Sequence, residues 1–389
     1  VKFRRGTFRG LEQTMKLLIA LFIGAALYFA QLYLYKRLWD LGLKIDIDFS
    51  KHILREGEDN ELIETICNEK LLPLPVVQVK FAITRSFLFL KQDNSAVTDL
   101  YYRNDHYSLL PYRKITRTYA FKCTKRGYYR LCGMDVVCRD LFLKGMMLKT
   151  FDHEAAVCVL PGRVKPDDIP LAARDLTGSI TDRMRRDEDP FEFTGIREYQ
   201  PYDPVNRINW KASAASGELR VNKFDTTFMR KVTLCLNAEC HIKWHEDIFL
   251  EEEIRIAASL ADGFIKQHIP VALMTNGKDI ENGTVIGIEA GADPGHLRNI
   301  EIQLARLVAG DDLPEFAPML LDLAKKNRYG DTEYLIISNY RKRDLSDAYG
   351  SLKNAGVKVS WIIPEYSTVT PKLTAAGDKS IIKWTVTSA

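Results

Sequence analysis

Catalysis by side chains needs nucleophiles, bases or ligands at fixed spacing, and few stretches of this chain offer them. His241 and His245 lie four residues apart beside Glu246. A zinc-binding His-Glu-x-x-His helix keeps its glutamate between the histidines, and here it stands outside them, so the pair reads as surface histidines near a helix start. No Gly-x-Ser-x-Gly elbow is present, and neither Cys67 in TICNE nor Cys235 in TLCLN sits in a nucleophile motif. No Gly-x-Gly-x-x-Gly run or phosphate loop follows any strand-like segment, so a nucleotide site is not indicated. The seven cysteines (Cys67, Cys123, Cys132, Cys138, Cys158, Cys235, Cys240) form no Cys-x-x-Cys pair. An odd, scattered set in strand-like surroundings fits buried thiols in a reducing compartment better than a disulfide framework. A net charge of +4 with both signs mixed along the chain gives no support to a nucleic-acid groove. These residues predict a protein with no catalytic group and no cofactor.

The densest mixture of charge and aromatic side chains lies between residues 194 and 225. Arg197, Glu198, Asp203 and Arg207 can pair, because a guanidinium fork matches a carboxylate. Tyr199 and Trp210 each offer an apolar body with one polar handle. The spacing predicts a buried polar knot, with WKASAASG as a short helix stopped at Gly217 and ELRVNKF as a strand feeding a sheet. Such a knot either fastens an irregular segment onto its neighbour or faces a partner.

Three kinds of element surround it. After a tail over 1–16, the run 17–35 carries no charge, and its nineteen residues span roughly 28 Å as a helix, close to the ~30 Å hydrocarbon core of a bilayer. Tyr28, Tyr33 and Tyr35 suit the membrane interface, and Lys36-Arg37 closes the run. Residues 43–164 alternate with period two in LKIDIDF and ELIETICNE and carry frequent turn signals, which predicts an immunoglobulin-like β-sandwich. A connecting segment, 165–230, opens with a charged stretch that reads as a solvated loop. From 231 to 389 strands alternate with helices, as in VTLCL, DIFLEEEIRIAASLADGFIKQH and PVALMTN, which predicts a doubly wound α/β domain. On the first helix Ile254, Ala257, Ala258, Ala261, Phe264 and Ile265 share one face.

The ordered stretch Gly195, Arg197-Glu198-Tyr199, Asp203, Arg207, Asn209-Trp210-Lys211, Ser213 and Gly217 resembles the signature of the domain of unknown function 58 family. Tyr202 departs from the usual glycine and Asn209 from the common aspartate. The resemblance covers most of the chain, and it implies a membrane segment, a β-rich domain and a von Willebrand factor A-like domain. Such a domain often holds a divalent cation through Asp-x-Ser-x-Ser after its first strand. Here Asn237, Glu239 and His241 take those places, so the metal site is expected to be degenerate. The resemblance further implies a membrane-tethered interaction or scaffold protein acting with a MoxR-type AAA+ ATPase and a transglutaminase-like membrane protein, in envelope assembly or stress handling. The competing class is a metal-dependent adhesion module or hydrolase using the face near Asn237 and Glu239.

Charge counting around the apolar run points two ways. Lys2, Arg4, Arg5, Arg9 and Lys16 precede it, and Lys36, Arg37 and Lys44 follow. Counted together they hold the N-terminus in the cytosol, whereas translation from Met15 would remove four of the leading charges. The thiols and the implied ATPase partner favour a single-pass protein whose body lies in the cytoplasm.

Overall fold

A computed structural model describes residues 3–89, 95–97, 100–164, 169–186, 193–200, 203, 205–224, 231–239, 246–309, 312–326, 332–365 and 380–385. The chain divides into two compact units, Val1–Val159 and Leu160–Ala389.

The first unit opens with α1 (Phe3–Leu38), so the expected tail is helical from Phe3 onward. No proline interrupts it, and each added residue extends a formed helix at the gain of one hydrogen bond. Its portion Thr14–Leu38 is long and apolar enough to cross a membrane, and its most apolar window is uncovered by the rest of the protein. Tyr35 departs from its expected interfacial place. It is buried with Trp39 in the core of the following domain, and its hydroxyl donates to the Pro73 carbonyl at 2.7 Å.

Ten strands follow: β1 (Leu43–Phe49), β2 (Ile53–Arg55), β3 (Asp59–Asn68), β4 (Leu74–Thr84), β5 (Phe87–Phe89), β6 (Ser95–Val97), β7 (Leu100–Leu109), β8 (Lys114–Cys123), β9 (Gly127–Arg139) and β10 (Met146–Leu160). Antiparallel pairing gives one sheet of order β1-β3-β8-β5 and a second of order β2-β10-β9-β4-β7-β6. Alternate residues point inward, so Ile47, Leu62, Ile66 and Phe121 of the first sheet meet Val77, Val79, Leu109 and Val157 of the second in one core. Phe49, Phe87 and Phe121 pack ring against ring, with centroids 4.6 to 6.0 Å apart. This unit is a β-sandwich.

The second unit begins earlier than the sequence suggests. Val164 and Ile169 pack on its core, the Val164 amide donates to Ser259 Oγ, and Arg163 pairs with Asp262 and Glu301. The charged stretch read as a solvated loop is α2 (Leu171–Arg186). Ala173, Leu176 and Ile180 recur along one side, and Ala173 and Ile180 are fully buried. One small or aliphatic contact per turn is enough to dock a helix whose other faces are polar.

Next come β11 (Phe193–Glu198), a 3₁₀ turn (Val205–Arg207), α3 (Trp210–Ser216) and β12 (Arg220–Phe224). β12 pairs with β11 in a separate two-stranded sheet and does not feed the main one. The remaining elements are β13 (Lys231–Leu236), α4 (Glu246–Lys266), β14 (Val271–Asp279), β15 (Val285–Gly291), α5 (Pro294–Arg306) and β16 (Leu307–Val308). After them come α6 (Phe316–Lys326), β17 (Thr332–Ile337), α7 (Arg343–Asn354), β18 (Val359–Glu365) and β19 (Ile381–Thr385).

The main sheet runs β15-β14-β13-β17-β18-β19, parallel except for the edge strand β15 and the short β16, both antiparallel to β14. Helices α2, α4 and α5 share a core with one face of it, while α6 and α7 cover the other. The predicted face of α4 is buried at all six positions. The chain reverses after α7 through Gly356 (φ +78°), where Val357 N donates to Leu352 O and Gly356 N to Lys353 O. This pair of bonds is the Schellman closure that a left-handed glycine permits.

Candidate functional site

Counted from β13, the sheet order is 3-2-1-4-5-6. Ligands of open α/β sheets gather at the carboxyl ends of the strands where that order reverses, here between β13 and β17. Asn237 follows β13 directly and is fully buried. Its Nδ2 donates to Ser338 Oγ at 3.1 Å, and its Oδ1 accepts the Glu239 amide at 3.0 Å. Glu239 Oε1 accepts the Phe316 amide at the start of α6 (3.0 Å) and Asn276 Nδ2 (3.2 Å). Asn276 Oδ1 in turn accepts the Ala238 amide at 2.8 Å. Burial pushes the Glu239 carboxyl up, and Asp344 and Glu315 nearby push it the same way.

The chemistry of this crest is that of a cap. Both Asn237 Oδ1 and Glu239 Oε1 face N–H donors, so a cation seated on them would meet the positive ends of the same dipoles. Among the described residues, no group of three His, Cys, Asp or Glu side chains is placed to hold a metal ion. His241, His245 and Cys240 lie outside the described residues.

The signature segment is built around one bidentate pair. Arg197 on β11 grips Asp203 with Nη1 at 2.6 Å and Nη2 at 2.5 Å. The buried Asp203 also accepts the Gln200 amide at 2.8 Å, which closes the intervening turn. Asn209 caps α3 by accepting the Ala212 amide, and its Nδ2 donates to Asn222 Oδ1 on β12. Ser213 is buried, donates to the Asn209 carbonyl and accepts the Arg220 amide. Gly217 ends the helix at φ +76°.

Two members of the expected knot, Glu198 and Trp210, lie outside it, as does the signature residue Lys211. Glu198 and Lys211 are exposed. Trp210 is 64% exposed, with none of the burial expected of it, because at the first turn of α3 it points away from β12 while Ser213 takes the inward place. Val205, Leu219 and Ile196 are also exposed here. Tyr199 is half-buried, and its amide donates to the Leu219 carbonyl. A Cβ at Gly195 would meet nothing within 4 Å, so sterics do not demand that glycine. The side chain of Arg207 and all of Tyr202 lie outside the described residues.

The β-sandwich holds two further features that the sequence reading missed. A cleft of about 780 Å³ opens where β9 parts from β4 beyond the Lys80–Asp135 pairing, and Tyr102, His106, Cys132 and Thr150 line it. Some of its polar groups are engaged locally: Thr150 donates to Asp135, and Gln78 contacts His106, while the buried Asn104 Oδ1 has no partner among the described residues. Deeper, Arg103 and Asp105 form a buried ion pair beside Glu64. The Tyr107 hydroxyl donates to Glu64 Oε2 at 2.5 Å. Burial pushes the Glu64 carboxyl up to about 7 against the opposing pull of the tyrosine hydroxyls. The signal for this cluster was parity, since residues 103, 105 and 107 fall in register with inward-facing Leu109.

No family model and no curated protein matches the chain. Several solved structures resemble about a third of it. The CARDB domain of the PF1109 protein from Pyrococcus furiosus is 17% identical over 30% of this chain and 93% of its own, with a TM-score of 0.20. A non-cellulosomal cohesin from Archaeoglobus fulgidus is 10% identical over 30% and 91%, with a TM-score of 0.21. PapD-like domain 7 of human CEP192 is 14% identical over 31% and 85%, also at 0.21. The strand pairings within the first unit define the sandwich.

Proposed function

We propose that this chain is a membrane-tethered, non-enzymatic interaction protein of the domain of unknown function 58 type, acting with a MoxR-type AAA+ ATPase in envelope assembly or stress handling. A transglutaminase-like membrane protein is a further partner on this reading. The observation that carries the proposal is Trp210. Asn209, Ser213 and Arg220 bond α3 firmly to β12, yet the tryptophan displayed on that frame stays uncovered. A rigid, exposed Trp is the kind of anchor that dominates protein–protein binding. The α/β body suits a von Willebrand factor A-like reading better than a dinucleotide-binding one. Its third strand is antiparallel, and the turn after β13 is Asn-Ala-Glu where a nucleotide site would need glycines. The full-length protein in detergent should retain the ATPase in pull-down. Trp210→Ala should lose it while keeping its Tm, and unchanged retention would remove the docking role.

The proposal places the soluble body in the cytoplasm, tethered by α1. No disulfide joins the described cysteines, and burial pushes Cys123 and Cys138 up to about 12, which suits inert thiols in a reducing compartment. Cys132 is exposed and serves as a native reporter. An impermeant maleimide should label it only after cells are permeabilised, and labelling in intact cells would put the body on the other side.

A further inference from the structure

The β-sandwich has two ends, and they differ in kind. At the end where α1 enters, three loops leave apolar side chains in the open: Leu71 after β3, Leu110 and Tyr112 after β7, and Leu141-Phe142-Leu143 after β9. Three consecutive large apolar residues on a turn are contrary to what water favours.

We propose that this end of the sandwich is a membrane seat, with the loop of residues 140–145 entering the bilayer beside α1. The inference rests on the reading that α1 crosses the membrane. Depth along the helix carries it. The Phe142 ring packs on Tyr28 at 5.6 Å between centroids. Tyr28 lies seven residues, roughly 10 Å, inside the C-terminal end of the uncharged run at Tyr35. Between Lys16 and Gln31, where the loop meets the helix, only about 22 Å of α1 remains, short of the ~30 Å apolar layer. A bilayer of ordinary thickness around this helix therefore includes the loop.

The loop is also built for lipid. Several of its polar groups pair within the turn: Asp140 Oδ1 accepts the amides of Lys144 (2.8 Å) and Gly145 (3.1 Å). The Leu143 amide donates to the Asp140 carbonyl, and the Asp140 amide to that of Gly145. Asp140 Oδ2 takes its last bond from Gln31, the strongly polar side chain of the apolar run, at 3.0 Å. These bonds pair part of the turn's polar backbone, as an apolar surrounding favours, while the leucines and phenylalanine face outward. Leu143 and Tyr112 moreover hold positive φ, +61° and +52°. Glycine would fit those positions with less strain, so bulky apolar side chains there point to a role for the side chains themselves. Lys36, Arg37 and Arg113 are exposed around this end and suit headgroup phosphates, and the long stem of exposed Lys144 can carry its ammonium from the loop toward the same level.

The test uses the full chain with Cys67, Cys132 and Cys240 replaced by serine, reconstituted into phosphatidylcholine–phosphatidylglycerol vesicles carrying nitroxide-labelled lipids. Single cysteines bear a fluorophore at Phe142→Cys, with Leu141→Cys as a second loop site. Phe22→Cys reports on the helix, and Lys122→Cys on the opposite end of the sandwich. Lipid quenching at 141 and 142 should approach that at 22 and exceed that at 122 several-fold. Quenching at 22 with none above the 122 level at either loop site would overturn the seat and leave the span standing. Absence of quenching at 22 as well would remove both.

Discussion

Each unit contains carboxyls that burial raises, and the two units hold those carboxyls by different means. In the sandwich, Glu64 on β3 meets side chains from β7 and β8: the hydroxyls of Tyr107 and Tyr119, with the Arg103–Asp105 pair alongside. The Arg103 guanidinium lies 3.8 Å from the Tyr119 ring centroid, and that of Arg117 lies 4.1 Å from the Tyr107 centroid. In the α/β unit, Glu253 and Glu239 accept backbone amides instead, those of Asn339 and Phe316. Burial raises both carboxyls there, Glu253 most. A side-chain set drawn from two sheets ties those sheets together and responds as a group to charge. Backbone amides are fixed by the fold, so acids facing them shape loops and helix starts. The sandwich cluster is a titratable cross-link, whereas Glu239 and Glu253 are capping groups.

Titrating Glu64 tests the first half of that comparison with the largest expected effect. Its folded-state pKa of about 7 lies above the usual glutamate value. Between about pH 4.5 and pH 7 the unfolded chain therefore releases a proton that the folded one keeps, so stability falls as pH rises across that window. At 1.36 kcal/mol per pKa unit the loss reaches roughly 3 kcal/mol at pH 8. Glu64→Gln keeps a polar partner for Tyr107 and cannot ionise. Chemical denaturation of the sandwich at pH 5 and pH 8 should show the wild-type slope disappear in the variant. Parallel slopes would mean that Glu64 is not the titrating group.

What the sequence disclosed follows from how strongly each element repeats its pattern. β1 and β3 alternate cleanly, and α4 carries its apolar face through about three turns, so both were legible. α2 was not, because among its described residues only Ala173 and Ile180 are fully buried apolar contacts, and its charged composition reads as solvent-facing. β7 escaped notice because its inward positions are Arg103, Asp105 and Tyr107, polar where a core strand is ordinarily apolar. β15 was missed as a short edge strand with two glycines, several of its residues exposed. In the signature the Arg197–Asp203 pairing was readable from charge complementarity, but the outward face of Trp210 was not. Which side of a short helix packs depends on the strand beside it, and β12 lies ten residues further on.

The second half of the comparison is sharpened at Glu239, with a smaller effect. Its Oε1 is the acceptor for both the Phe316 amide and Asn276 Nδ2, so Glu239→Gln can keep both bonds through its own carbonyl oxygen. That variant should lie within about 0.5 kcal/mol of wild type, and closer still at acid pH, because burial disfavours the ionised form it replaces. Glu239→Ala removes the acceptor, exposes the first turn of α6 and should cost about 1–2 kcal/mol, read as a lower midpoint in denaturation of the α/β unit. Magnesium separates this capping role from the cation-binding alternative. A cap gives the same midpoint with and without the ion in all three proteins. A ligand gives a wild-type midpoint that rises with magnesium and a Gln variant that does not respond, since the amide keeps the hydrogen bonds but lacks the charge that a hard cation selects. Equal midpoints for Ala and Gln would show instead that α6 starts without help from residue 239, and the acids of the two units would then differ less than their hydrogen bonds imply.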